Sequence, residues 1–128
     1  MMRLTPNGPA LIAALALAAA LAPAAGAAPL PAPARAEIDA LLGRLQASGC
    51  EFNRNGTWYS GAEAKTHLQR KLEYLEKKDM VRNAEQFIAL GATASSSSGK
   101  AYAVRCGASA PVASKAWLSA ELQAIRQR

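Results

Sequence analysis

Ile38, Leu41, Leu42 and Leu45 recur at helical spacing, with Glu37 and Asp39 at the N-terminal side and Gly49 as a stop, so the pattern predicts a first helix. The period then changes from helical to alternating. Cys50 and Phe52 fall on one face, Asn55-Gly56 offers a two-residue turn, and Thr57, Trp58 and Tyr59 are good strand formers. Ser60 and Glu63 have capping-box spacing and open a second helix to about Lys78. Ala64, Leu68, Leu72 and Leu75 form its apolar seam, flanked by His67, Lys71 and Tyr74. Asn83 and Gln86 repeat the capping pattern before a third helix that buries Phe87, Ile88 and Leu90 and stops at Gly91. In "AYAVRC", Tyr102, Val104 and Cys106 share one strand face. A last helix from about Pro111 packs through Leu118, Leu122 and Ile125, with Trp117 alongside. The order α-β-β-α-α-β-α reads as an α+β domain, four helices on one face of a three-stranded antiparallel sheet.

The N-terminal pattern is of another kind. Arg3 precedes an apolar run from Ala10 to Ala22, then Pro23 and small residues, which reads as a secretory signal peptide over residues 1–27. Cleavage after Ala27 fits the small-x-small rule, and Ala36 is a second candidate. The apolar run is shorter than the roughly 20 residues that span a bilayer, so no transmembrane segment is expected after cleavage. Residues 28–36, "APLPAPARA", read as an extended, disordered Pro/Ala tether, and residues 37–128 as a single domain in the periplasm.

Charge narrows the partners. Without Arg3, 14 Lys and Arg face 9 Asp and Glu, which favours acidic envelope components or acidic proteins. The basic residues are scattered rather than striped with aromatics, so nucleic acid is not expected. In an oxidising space Cys50 and Cys106 are expected to pair as one structural disulfide, worth about 4 kcal/mol on the chain-entropy model. With a single His and both thiols consumed, no metal site or other cofactor is expected.

"SSSSGK", Ser95 to Lys100, invites two chemical readings. A P-loop fails: Ala94 stands at the first glycine position, Ala101 replaces the final Ser/Thr, and the predicted helix precedes the loop. A Ser-His-Asp site drawing on His67 lacks a nucleophile elbow. "NGT" at Asn55 matches a glycosylation sequon but is read as the turn. Surface recognition remains, with Arg54 and Asn55 at the hairpin tip, His67 and Lys71 on the second helix, and Ser97, Ser98, Gly99 and Lys100 in the loop, close to Tyr102. These side chains make one site only if hairpin, helix flank and loop share a side.

The ordered set Phe52, Arg54, Asn55, Gly56, Tyr59, Ala64, His67-Leu68, Lys71, "AEQFI" (Ala84–Ile88), "SSSSGK" and Tyr102 resembles the YfeK-like family of small exported bacterial proteins of unknown function. The likeness runs from about Glu37 to Leu122 and implies that Arg54, His67, Lys71, Ser98, Gly99, Lys100 and Tyr102 belong to one structural or functional unit. The cysteines are not a constant of that likeness, which implies a disulfide added for stability. "SSSSGKAY" is also similar to the Ser/Gly-rich loop with which exported bacterial lysozyme inhibitors enter the lysozyme cleft. Those inhibitors are β-barrels, however, and a basic chain repels a basic enzyme.

The expectation is a non-catalytic periplasmic binding module for an acidic envelope component or protein partner. The alternatives are a lysozyme inhibitor using the serine loop and a small envelope hydrolase using His67. A fourth reading makes Arg54, His67 and Tyr102 purely architectural, satisfying buried polar groups.

Overall fold

Prolines begin the first helix. In the computed structural model, which describes residues 29–127, α1 (Ala32–Ala47) has Pro31 at its N-cap and Pro33 in its first turn, where a missing amide costs no hydrogen bond. The segment expected to be an extended tether is therefore helical from Ala32, and Leu30 and Ala34 join the core. Alanine is the best helix former, so the low-complexity composition does not keep this stretch open. The expected leader lies outside the described residues. Ile38, Leu41, Leu42 and Leu45 are fully buried, and α1 meets α2, α3 and α4.

Beyond Gly49 the chain enters β1 (Glu51–Arg54) and returns in β2 (Thr57–Ser60). Asn55 (φ 53°) and Gly56 (φ 87°) are both left-handed, as a type I′ hairpin turn requires. Ser60 Oγ accepts from the Glu63 amide while the Glu63 carboxylate accepts from the Ser60 amide, and this reciprocal cap opens α2 (Gly61–Lys77). Ala64, Leu68, Leu72 and Leu75 form its buried seam as the spacing predicts.

Asn83 caps α3 (Ala84–Gly91) by accepting from the Gln86 amide, but the Gln86 side chain accepts from Arg82 N, so the second box is not reciprocal. Phe87 and Ile88 are buried, whereas Leu90, expected in the core, is 47% exposed. An eight-residue helix has room for one narrow buried face, and Leu90 lies outside it. Gly91 is the last helical residue and its φ is not positive. Its role is close packing, since a Cβ there would lie 3.0–3.1 Å from the side chains of Phe87 and Leu75.

The sheet has four antiparallel strands, not three, in the order β2-β1-β3-β4. β3 (Ala103–Arg105) pairs with β1 and then with β4 (Val112–Ala113), where Val104 faces Val112. Pro111 therefore precedes an edge strand, where its lack of an amide is tolerated, and α4 (Ser114–Arg126) starts three residues later than expected. Two residues are too few to show an alternation. Phe52, Tyr102 and Val104 point from the sheet into the core beneath the helices, which is the single-faced α+β arrangement. On the other face Arg105 stacks 3.9 Å from the Trp58 ring and bonds Glu51.

Cys50 and Cys106 are disulfide-bonded, one step beyond the Glu51–Arg105 pair, so the bond joins the ends of neighbouring strands. Arg126 donates to both Glu37 and Glu85 and ties α4 to α1 and α3. Among the described residues, no helix is long and apolar enough to cross a membrane.

Candidate functional site

The site is built where the tip of the β1–β2 hairpin meets the flank of α2. Phe52 and Arg54 alternate to the same face of β1, so the register that buries Phe52 turns Arg54 toward the helix. The helical repeat that buries Ala64, Leu68, Leu72 and Leu75 leaves His67, Arg70, Lys71 and Tyr74 beside the buried seam.

Under this surface lies a three-member polar network. Lys71 Nζ donates to the Ala94 carbonyl (2.9 Å) and to the Tyr102 hydroxyl (3.1 Å). An ammonium only donates, so the Tyr102 oxygen accepts from Lys71, and His67 Nε2 lies 3.1 Å from the same hydroxyl. Burial, followed by the charges of Arg54, Lys71 and Arg70, pushes His67 down to about 4. Burial also lowers Lys71, helped by Arg54, and raises Tyr102 against the opposing influence of Arg54. Burial and the neighbouring cations thus hold His67 neutral beside a tyrosine whose own pKa is raised.

Above the network is a hollow of about 280 Å³, lined by Arg54, Tyr59, Glu63, His67 and Arg70 over a floor of Phe52 and Ala64. Arg54 rests 5.0 Å from the Tyr59 ring centroid. Glu63 is the one acidic wall, and its carboxylate is committed to the α2 cap. Arg35, Arg44, Arg82, Arg105 and Arg126 all pair with carboxylates. Among the described residues, Arg54 and Arg70 are the arginines with no carboxylate within ion-pairing distance, and both line this hollow. A cleft of about 400 Å³ follows on the far side of His67 and Arg70, between α2 and α3, with Tyr74, Leu75 and Leu90 as its apolar wall.

The serine loop reaches the cleft through Ser96 and is otherwise tied to the hairpin. It is closed by the Ala94–Ala101 bridge and by the Ser95 amide donating to the Lys100 carbonyl. The amides of Ser98, Gly99 and Lys100 donate to Ser95 Oγ, the Ser95 carbonyl and Ser98 Oγ. These amides are spent inside the loop and cradle no anion. Asn55 clasps the loop to the hairpin tip: its Nδ2 donates to Ser95 Oγ, and its Oδ1 accepts from Ser98 Oγ. Ser97 Oγ lies 3.1 Å from Ser95 Oγ, and Gly99 supplies a left-handed φ of 75°.

The expected site residues thus separate into three groups. Arg54 and His67 converge on the hollow, Lys71 and Tyr102 support it from below, and Asn55, Ser97, Ser98 and Gly99 form the clasp. Lys100 is exposed and lines neither the hollow nor the cleft. Tyr102 is 1% exposed and is not presented to a partner. Arg70 and Leu90 were missed as site residues. Arg70 was accessible to the eye, three residues after His67 on the same helix flank; Leu90 was masked by its apolar character.

Residues 32–126 match a family described as DUF5329, a family of unknown function. No curated protein and no solved structure matches significantly.

Proposed function

The chain belongs to the DUF5329 family of unknown function, and we propose that it is a non-catalytic binding module of the periplasm that takes an acidic group of an envelope component or protein partner into the hollow of Arg54, His67 and Arg70. The observation that carries this reading is the contrast in arginine pairing. Two guanidiniums without carboxylates line one concavity, while the other described arginines are paired. Guanidinium forks suit carboxylate or phosphate, and His67 lines the same wall. The likeness to YfeK-like exported proteins supports the compartment.

The rival readings have less behind them. The hydrolase needs a nucleophile on His67, yet the partner of its Nε2 is Tyr102, while Ser95 and Ser98 bond to Asn55. The lysozyme-inhibitor loop needs an accessible Tyr102, which is buried.

The test is a titration of the mature protein with inorganic phosphate and with acetate, followed by NMR of backbone and arginine side-chain N–H signals. Saturable shifts centred on Arg54, His67 and Arg70, abolished in Arg54→Ala/Arg70→Ala, are expected. Equal, unsaturable shifts across all cationic residues would end the proposal.

A further inference from the structure

We infer that the ligand is a single-chain anionic amphiphile, its carboxylate or phosphate head in the arginine hollow and its alkyl tail along the cleft between α2 and α3. This rests on the anion reading given above and extends it to the rest of the ligand. His67 and Arg70 line both the hollow and the cleft, so the two spaces flank the same pair of side chains, of which Arg70 carries the charge. Each alone is near the lower end of small-ligand pockets, roughly 300–1,000 Å³, and a ligand spanning both would use a polar and an apolar half.

The cleft wall supports an alkyl occupant. Tyr74 and Leu90 are 59% and 47% exposed and stand beside buried Leu75, an apolar strip that the fold leaves uncovered. Its charge complement is one-sided: Arg70 and Lys71 border the strip and no carboxylate lines it. A bound peptide would need a run of backbone partners, but the interior amides and carbonyls of α2 and α3 are consumed within the helices, no strand edge runs along the cleft, and Ser96 is the one loop residue on its wall. A hydrocarbon chain needs none, and the cationic end fixes its direction.

The probes are octanoate, dodecanoate, dodecyl phosphate, dodecanol, and a short peptide ending in Leu with a free carboxylate, all below their micelle concentrations. Calorimetry on the full mature protein is expected to rank dodecanoate at least tenfold tighter than octanoate. Leu90→Ser/Tyr74→Ser should remove that difference while leaving the NMR shifts produced by acetate and phosphate intact. The two twelve-carbon anions distinguish a carboxylate head from a phosphate head, and tight binding of either supports the inference. If octanoate and dodecanoate bind alike, the tail placement is overturned and the anion site stands. Dodecanol binding as tightly as dodecanoate overturns the anion reading as well, as does the absence of binding by every probe. Tighter binding of the peptide than of dodecanoate replaces the amphiphile with a polypeptide terminus.

Discussion

The hydroxyl of Tyr102 lies 3.1 Å from His67 Nε2 and accepts from Lys71, so the imidazole shares one buried oxygen with an ammonium. The consequence is a specific acid sensitivity. In the unfolded chain a histidine titrates near 6.5, and in the fold His67 is pushed down to about 4, so between those values the unfolded state binds more protons. The stability contributed by neutral His67 is complete above about pH 6.5 and is lost as pH falls through about 4. Arg54, Arg70 and Lys71 oppose its protonation, while Glu63 is held in the α2 cap. Allowing for solvent screening of a half-buried ring, the loss is about 1–2 kcal/mol. Urea denaturation of wild type and His67→Gln at pH 7.5, 5.5 and 4 should show the stability gap closing with acid; parallel curves contradict this. The carboxylates of Glu37 and Glu85, which Arg126 holds below the usual range, lose their contribution in more acid solution in both proteins and cancel from the comparison.

Asn55 serves the turn and the clasp at once, and two substitutions separate them. Asn55→Gly keeps the left-handed turn but removes both bonds to the serine loop, costing about 1 kcal/mol. Asn55→Ala loses the bonds and also strains a φ of 53°, adding about 1–2 kcal/mol. Amide exchange in Ser95–Lys100 should accelerate in both variants, with the larger drop in Tm in the alanine variant. Unchanged exchange in the loop removes the clasp.

At Gly61 two effects oppose each other. Alanine in a helix interior is favoured over glycine by about 1 kcal/mol, and at the first helical position, where Gly61 stands, by less. Here a Cβ would drive into the Leu45 carbonyl oxygen and come within 3.2 Å of Gln46 Cα, both backbone atoms of α1. The clash should win, leaving Gly61→Ala about 1–3 kcal/mol less stable by chemical denaturation. A more stable variant would show that α1 and α2 separate easily.

The buried Leu30 and Ala34 discriminate between the two proposed leader cleavage points. A cut after Ala36 removes both together with the first turn of α1, whereas a cut after Ala27 leaves the helix whole. Mass spectrometry of exported protein should find Ala28 at the N-terminus. A start at Glu37, with full stability, would mean those contacts are dispensable.

Much of the frame was readable because its signals are local. The Asn55-Gly56 turn, the Ser60–Glu63 cap and the leucine seam of α2 each depend on residues a few positions apart. The unreadable parts depend on distance. β4 has too few residues to carry a period, and the helical start at Ala32 depends on what Leu30 and Ala34 pack against. The significance of Arg54 and Arg70 was hidden for the same reason. It emerges only once Arg35 is seen with Glu76, Arg44 with Glu121 and Arg126 with Glu37, pairs 41, 77 and 89 positions apart. The loop serines attracted attention as a run, yet their partner is a turn asparagine 40 and 43 positions away.

The Cys50–Cys106 bond encloses Arg54, His67, Arg70, Lys71, Leu90 and Tyr102, while α1 and α4 lie outside the ring. A single cut by a protease in the exposed run Ser96–Lys100 would therefore leave two fragments covalently joined, with the hollow and its tyrosine support on the same molecule. Severing the peptide chain there is not the same as losing the site.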